Sequence, residues 1–452
     1  MEGAVDQKKQ SLLHDNIVNL MFKLSLPAIV GMFVIGLYSF VDAIFVGQWV
    51  NEVAVGAIAV AYPLTLLNNG IAVLVGIGSA SVLSRAIGGD DQQTVDKIMG
   101  NLLTLVFILS LVTTVVGYFF TRQLLSFSRV EGDMLIYAMN YLKIIFLGSF
   151  FVNFAQAANM VMRGEGKMMI AMVIMAIGAI LNIVLDPIFI KVLGYGIEGA
   201  AIATVIAQVV QFLITAIYFI KYSEKVRFKK IRLETSILSG VISVGVSAML
   251  MQVLSLVQQT VLYSRLMTYG GEEKVILMGA IMRYMMLAFI PVWGISQGFQ
   301  PVAGTNYGAK AYDRVKKSTT VFGIGATALA LIFWLPFMLF TDTILSWFIK
   351  DNVAIITNGM FDARLAMLVF PIAGALIIFV TLFQAIGDAK KAGMLIMLRQ
   401  AVLFIPLVYI LPRIANLEAR GAFASFGLTD LIVFAIAIVS TVKLFKVMGR
   451  QN

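Results

Sequence analysis

The sequence predicts an all-α integral membrane protein with twelve transmembrane helices in two pseudo-symmetric six-helix bundles. Three observations lead there. Hydrophobic residues make up 60% of the 452-residue chain and charged residues only 13%, about half the charged share that covers a soluble domain. The apolar residues form long continuous runs of the length a spanning helix needs, about 20 residues, and lack the alternation of a spanning β-barrel. Turn-like motifs also recur in order at one nearly constant offset, roughly half the chain, as in a duplicated sequence.

The runs predict helices over 17–48, 53–83, 99–120, 134–163, 168–192, 197–220, 236–267, 274–305, 318–340, 355–386, 392–412 and 420–444. These divide the chain into a polar N-terminal segment (1–16), an N-terminal six-helix lobe (17–220), a basic linker (221–235), a C-terminal six-helix lobe (236–444) and a short tail (445–452). The apolar run after residue 16 is too long for a signal-peptide core, so no cleaved leader is expected. Pro27 lies inside the first helix, where its missing N–H predicts a kink.

Lysine and arginine set the orientation. If both termini are cytoplasmic, 21 of the 34 basic residues fall at the termini and in the cytoplasmic loops, 7 in the outer loops and 6 within spans. The excess predicts both termini inside under the positive-inside rule. The net charge of +10 is therefore read as membrane orientation, and no nucleic-acid partner is expected.

The repeat rests on three pairs. Ser84–Asp90 (SRAIGGD) matches Gly304–Lys310 (GTNYGAK), Arg163–Lys167 (RGEGK) matches Ile386–Lys390 (IGDAK), and Glu198–Ala201 (EGAA) matches Arg420–Phe423 (RGAF). Each is a common kind of turn; three in order at a nearly constant offset point to duplication. Six helices per half give both halves the same orientation, a transporter layout.

Several chemistries are excluded. The chain has no cysteine, and its one histidine, His14, lies in the polar N-terminal segment. Disulfides, thiolate metal sites and an intramembrane histidine relay are thus ruled out. No metal motif, phosphate-binding Gly-Lys motif or Ser-His-Asp set appears, so an enzyme is not expected, and no organic cofactor. No soluble domain is long enough to bind ATP, which leaves an ion gradient as the energy source.

Acids inside spans are costly and therefore candidates for function. Asp42 lies on the first helix, one turn after Tyr38, a candidate cavity residue. Asp186 lies on the fifth, four residues after Asn182 and on the same face. Thr204, on the sixth, comes within reach if the two helices pack antiparallel. Two carboxylates, an amide oxygen and a hydroxyl could hold a small cation, and two carboxylates so placed could equally share one proton. A purely structural reading, with these groups capping kinks or joining helices, weighs most for Asn182 and Thr204. On the last two helices Arg399 and Asp430 could form a buried structural ion pair. Asp362 and Arg364 lie near a helix end, from which they could reach the interface.

These features resemble the multidrug and toxic compound extrusion family over essentially the whole chain. The residues that carry the resemblance are Leu26-Pro27, Phe40–Gly47 (FVDAIFVG), Asn182–Pro187 (NIVLDP), Gly199–Thr204 (GAAIAT) and Arg399-Gln400. The chain is similar to the prokaryotic branch of DNA-damage-inducible and staphylococcal-type multidrug pumps. The resemblance implies two lobes around a central cavity and export of organic, often cationic, compounds against inward proton or sodium flow. It also implies a cation site in the N-terminal lobe at Asp42, Asn182, Asp186 and Thr204, a metal site only if the ion is sodium, and bending at Pro27 linked with alternating access. Another branch places acidic ligands in the C-terminal lobe. Here the seventh helix has no interior acid, since Glu272 and Glu273 lie past its end.

The expected function is therefore a secondary multidrug antiporter, monomeric, in a bacterial-type inner membrane, exporting lipophilic cations in exchange for H+ or Na+. Clustered carboxylates favour the proton. The alternative is a flippase for lipid-linked precursors, whose pyrophosphate would call for cationic cavity residues such as Arg265, Arg283 and Arg399.

Overall fold

Apolar residues must be shielded from water, and each backbone polar group within lipid must be satisfied inside its own segment, which a helix does. The computed structural model accordingly consists of helices joined by short turns; it describes residues 9–128, 130–223, 226–228, 233–349, 352–414 and 417–450. Among these, ten helices are long and apolar enough to cross a bilayer, and a bent pair adds an eleventh. The 74-residue helix Thr235–Gly308 is itself two, divided where Gly271 takes φ 65° and ψ −165°. That makes twelve crossings, in the order the sequence predicts.

In the first half α1 is Ile17–Trp49, α2 Glu52–Gly88 and α3 Gln92–Phe119. The bent pair Gly132–Leu147 and Ser149–Gly164, at 58°, is α4; Met168–Val192 is α5 and Gly196–Tyr222 is α6. In the second half α7 and α8 are residues 235–270 and 272–308, and α9 is Tyr312–Leu339. Val353–Ala385 is α10, Ala389–Arg413 is α11 and Ala419–Met448 is α12.

Helices α3 and α9 begin about two turns before the expected starts at 99 and 318, because their first turns are polar and lie outside the apolar runs. The start of α3 is fixed by a cap. The Asp91 side chain accepts from the Thr94 backbone N–H at 3.1 Å and from its hydroxyl at 2.6 Å. The hydroxyl bond first, and the backbone bond after it, hold the Asp91 carboxyl below the usual carboxylate range. Because the folded state lowers this pKa, the stabilisation is present above the unfolded value of about 3.9 and is lost as pH falls through the folded one. Asp91→Ala should lower stability by about 1 kcal/mol at neutral pH. Thermal melts in detergent should show the gap to wild type closing below about pH 4; a gap independent of pH would contradict the cap.

The duplication is visible in the backbone. Positive φ recurs at Asp90 and Lys310, at Gly166 and Gly387, and at Gly196 and Glu418, close to the offsets of the sequence motifs, although the second pair sets Gly166 on Gly387 and so shifts the RGEGK–IGDAK match by two residues. The short helices that follow α3 and α9, Thr121–Leu125 and Thr341–Ser346, are related by a similar offset.

The chain packs as two compact units that are not contiguous in sequence. One holds Val30–Met249 with the described residues up to Leu12; the other holds Leu13–Ile29 with the chain from Leu250 onward. Small residues explain the division. In the first unit α2 and the start of α7 touch backbone to backbone: a Cβ on Gly78 would run into the Val241 carbonyl, and one on Gly245 into the Leu74 carbonyl. The second unit has the equivalent crossing at duplicated positions, where Gly298 and Gly294 of α8 lie against Ser25 and Ile29 of α1. Close approach through small residues is the main way helices gain contact in lipid. Gly78→Ala should therefore destabilise the first unit by about 1–3 kcal/mol through overpacking, read as a lower unfolding temperature; an unchanged melt would contradict this crossing.

Helix α1 runs unbroken through Pro27, which is buried. The proline removes the bond to the Lys23 carbonyl, and the boundary between the units falls just after it, between Ile29 and Val30.

Candidate functional site

The four expected N-terminal-lobe residues come together within the first unit. Their meeting depends on how α5 and α6 pack. After Asp186, Pro187 ends the regular part of α5 and a wider π-turn follows, Ile188–Val192. The start of α6 lies against this turn: a Cβ on Gly199 would stand 2.6 Å from the Phe189 carbonyl oxygen, and Ala200, Ala201 and Ala203 are buried around it. Toward the other end of the pair, Gly178 of α5 makes room for Gln211 of α6, whose Nε2 donates to the Met175 carbonyl at 3.3 Å. The two helices thus run antiparallel in a fixed register, which sets Thr204 opposite Asn182. The run of glycine and alanine before Thr204 is what permits the approach.

Asn182 Nδ2 donates to Asp186 Oδ1 at 3.3 Å and to Thr204 Oγ1 at 3.4 Å. Asp186 is fully buried and Asn182 nearly so. The Asp42 carboxyl, from α1, stands close enough to the Asp186 carboxyl for the two to interact. Three oxygens in this group, Asp42 Oδ1, Asn182 Oδ1 and Asp186 Oδ2, are buried and accept no hydrogen bond. Among the described residues no lysine or arginine pairs with either carboxyl. Two acids at this distance with no cationic side chain are poorly stable as a double anion in an apolar surround. A proton between them, or a small cation on the unfilled oxygens, relieves the repulsion. The Tyr38 side chain lies outside the described residues.

The C-terminal half carries a different charged group. Arg399 donates to Asp430 through Nε at 2.7 Å and Nη2 at 2.9 Å, a two-pronged pair of low exposure. Arg399 sits in a π-turn of α11, Leu398–Val402, and borders a cavity of about 30 Å³ with Gln384, Gln400 and Trp293. The Arg265 guanidinium lies 4.5 Å over the Tyr409 ring.

Asp362 does not reach the interface, contrary to what its place near a helix end suggests. Its side chain is only 3% exposed and meets Lys274 at 2.5 Å and Arg420 at 3.4 Å. It thereby ties α10 to the starts of α8 and α12. Arg364 likewise turns to a protein partner, donating from Nε to Thr341 Oγ1 at 2.9 Å. A further polar group has no signal in the sequence: buried Asn153 donates to Asn68 at 3.2 Å and to Ser110 at 3.1 Å. Uncharged residues in apolar runs look like ordinary helix contacts until their neighbours are known.

A chain of twelve apolar helices with an intramembrane acid pair is built as a membrane transporter. The MatE family model matches residues 27–188 and 246–410, and the chain belongs to that family. It is 26% identical over 435 residues to the multidrug export protein MepA of Staphylococcus haemolyticus, covering 96% of this chain and 93% of that one. Among solved structures it is similar to an outward-facing multidrug resistance MATE family transporter of the MOP superfamily (TM-score 0.91, 25% identity, 97% and 98% of the two chains). It is likewise similar to a MATE protein in a bent conformation (TM-score 0.92, 25% identity, 98% of each chain).

Proposed function

We propose that the protein is a secondary active multidrug efflux antiporter that exports lipophilic, mainly cationic compounds in exchange for an inward cation by alternating access. The observation that carries this reading is the carboxyl pair of half-buried Asp42 and fully buried Asp186, beside Asn182 and Thr204 with three buried oxygens unfilled. The name of the staphylococcal relative supports the substrate class. Occupied, the pair is neutralised and its helices can close around it; empty, the like charges favour hydration and an open arrangement. If ion and substrate favour different arrangements, loading one expels the other.

The coupling ion is a proton in this reading. Sodium calls for several oxygens converging on one point, whereas a proton needs only two carboxyls close enough to interact. Of the three cationic side chains that the flippase alternative would turn to a pyrophosphate, two are engaged within the protein, Arg399 by Asp430 and Arg265 by the Tyr409 ring, which leaves Arg283.

Reconstitution tests the proposal. Proteoliposomes loaded with an ethidium-like dye should transport it when a proton gradient is imposed in sodium-free buffer. Transport driven by sodium alone would overturn the proton assignment. Preference for a polyanionic lipid precursor over the dye would overturn the drug-export reading.

A further inference from the structure

On the outer side of the α5–α6 pair lies an apolar groove of about 420 Å³. Its walls include Met169, Val173, Ile177 and Ile217; apart from two tyrosines, Tyr218 and Tyr222 at one end, all its lining residues are aliphatic or methionine. Met169, Val173, Ile177, Ile217 and Tyr222 are exposed. From Met169 to Ile177 the groove follows α5 for about 12 Å, close to the ~15 Å hydrocarbon depth of one leaflet. The closing π-turn of α6, Tyr218–Tyr222, shapes the tyrosine end. There the Tyr218 ring is turned inward, edge-on to Phe219 at 5.2 Å, while Tyr222 projects outward.

Charge is concentrated at that same end. Lys167 caps α5 and Lys221 lies in the last turn of α6. Neither has an acidic partner among the described residues. Arg227 is held nearby by donating from Nε to the Ser223 carbonyl at 2.7 Å. One nearby acid, Glu165, is buried and accepts from Ser223 Oγ at 3.4 Å. In sequence, Lys221–Arg232 carries six basic residues against one acidic. An aliphatic channel one leaflet deep, an amphipathic tyrosine at its mouth and lysines beyond it have the chemistry of a phospholipid in layers: acyl chain, interface, phosphate.

We propose that this groove is a binding site for an anionic diacyl phospholipid, with one acyl chain along α5 and the phosphate between Lys167 and Lys221. A zwitterionic lipid would fill the groove but leave the lysines unneutralised. The proposal stands apart from the identity of the coupling ion. It has a consequence for transport all the same: the bound chain would brace the helix pair that carries Asn182, Asp186 and Thr204 on its other contacts.

The test places a reporter at the deep end of the groove. Full-length Ile177→Trp protein in detergent is titrated with phosphatidylglycerol or phosphatidylcholine brominated on the acyl chain, and quenching above the wild-type background is read. Phosphatidylglycerol should quench at about tenfold lower mole fraction or less, and Lys167→Gln/Lys221→Gln should raise that fraction by roughly thirtyfold for two surface lysines. Phosphatidylcholine should be unaffected by the charge change. Equal quenching by the two lipids, or no response to the double substitution, would overturn the proposal. Should Ile177→Trp fail to fold, native mass spectrometry of lipid adducts on protein with the natural Ile177 separates the same outcomes, with and without the lysine substitutions.

Discussion

Asp42→Asn and Asp186→Asn should each slow gradient-driven dye efflux tenfold to a hundredfold, the range of a typical coupling energy. Asparagine keeps the shape and nearly the volume of aspartate, so packing is little changed. What it removes is the second negative charge. With one carboxylate left, the site no longer repels itself when empty, and the difference in energy that links ion loading to conformation falls. Asn182→Ala and Thr204→Ala should be milder, a few-fold, because the carboxyls remain and only neutral oxygens are lost. Initial efflux rates from proteoliposomes, corrected for the amount of protein incorporated, provide the measurement. Full activity in both aspartate variants would refute the site.

The largest stability effect is expected from Asp430→Ala. Arg399 is held by two parallel charge-assisted bonds in a low-exposure setting, and truncating its partner leaves a buried cation uncompensated, at about 3–5 kcal/mol. Replacing both residues with apolar ones, as in Arg399→Met/Asp430→Leu, removes the desolvated charges together and should be near neutral. Melting temperatures of the single and double variants decide this, with dye efflux as a second readout. A double variant as unstable as the worse single would show that the pair does more than neutralise itself. Loss of efflux in a stable double variant would assign it a part in transport.

Much of this is legible in the sequence because lipid leaves few options. A run of about 20 apolar residues has to be a helix, and an acid within it needs a reason. Asp42 and Asp186 can thus be singled out from residue type alone, and Asn182 and Thr204 from helical spacing and an assumed antiparallel pair. The register that joins them is less accessible, since it depends on Gly199 fitting against the Phe189 carbonyl, a contact with no pattern of its own. Helix starts are obscured where a capped polar turn precedes the apolar run, as at Asp91. Asp362 is hidden for a related reason: nearness to a helix end suggests solvent, but Lys274 and Arg420 from other helices close over it.

The crossings at Gly78 and Gly298 bear on how such a chain can be divided. Residues 13–29 pack within the unit formed mainly by the second half, and the stretch up to Met249 packs within the unit of the first. Neither half of the polypeptide therefore contains all of its own packing unit; each carries an arm that the other requires. A chain severed in the basic linker should yield fragments that are incomplete when made singly and recover structure when made together. An ancestral half-length chain built this way would have exchanged arms with a second copy of itself before fusion made the exchange internal.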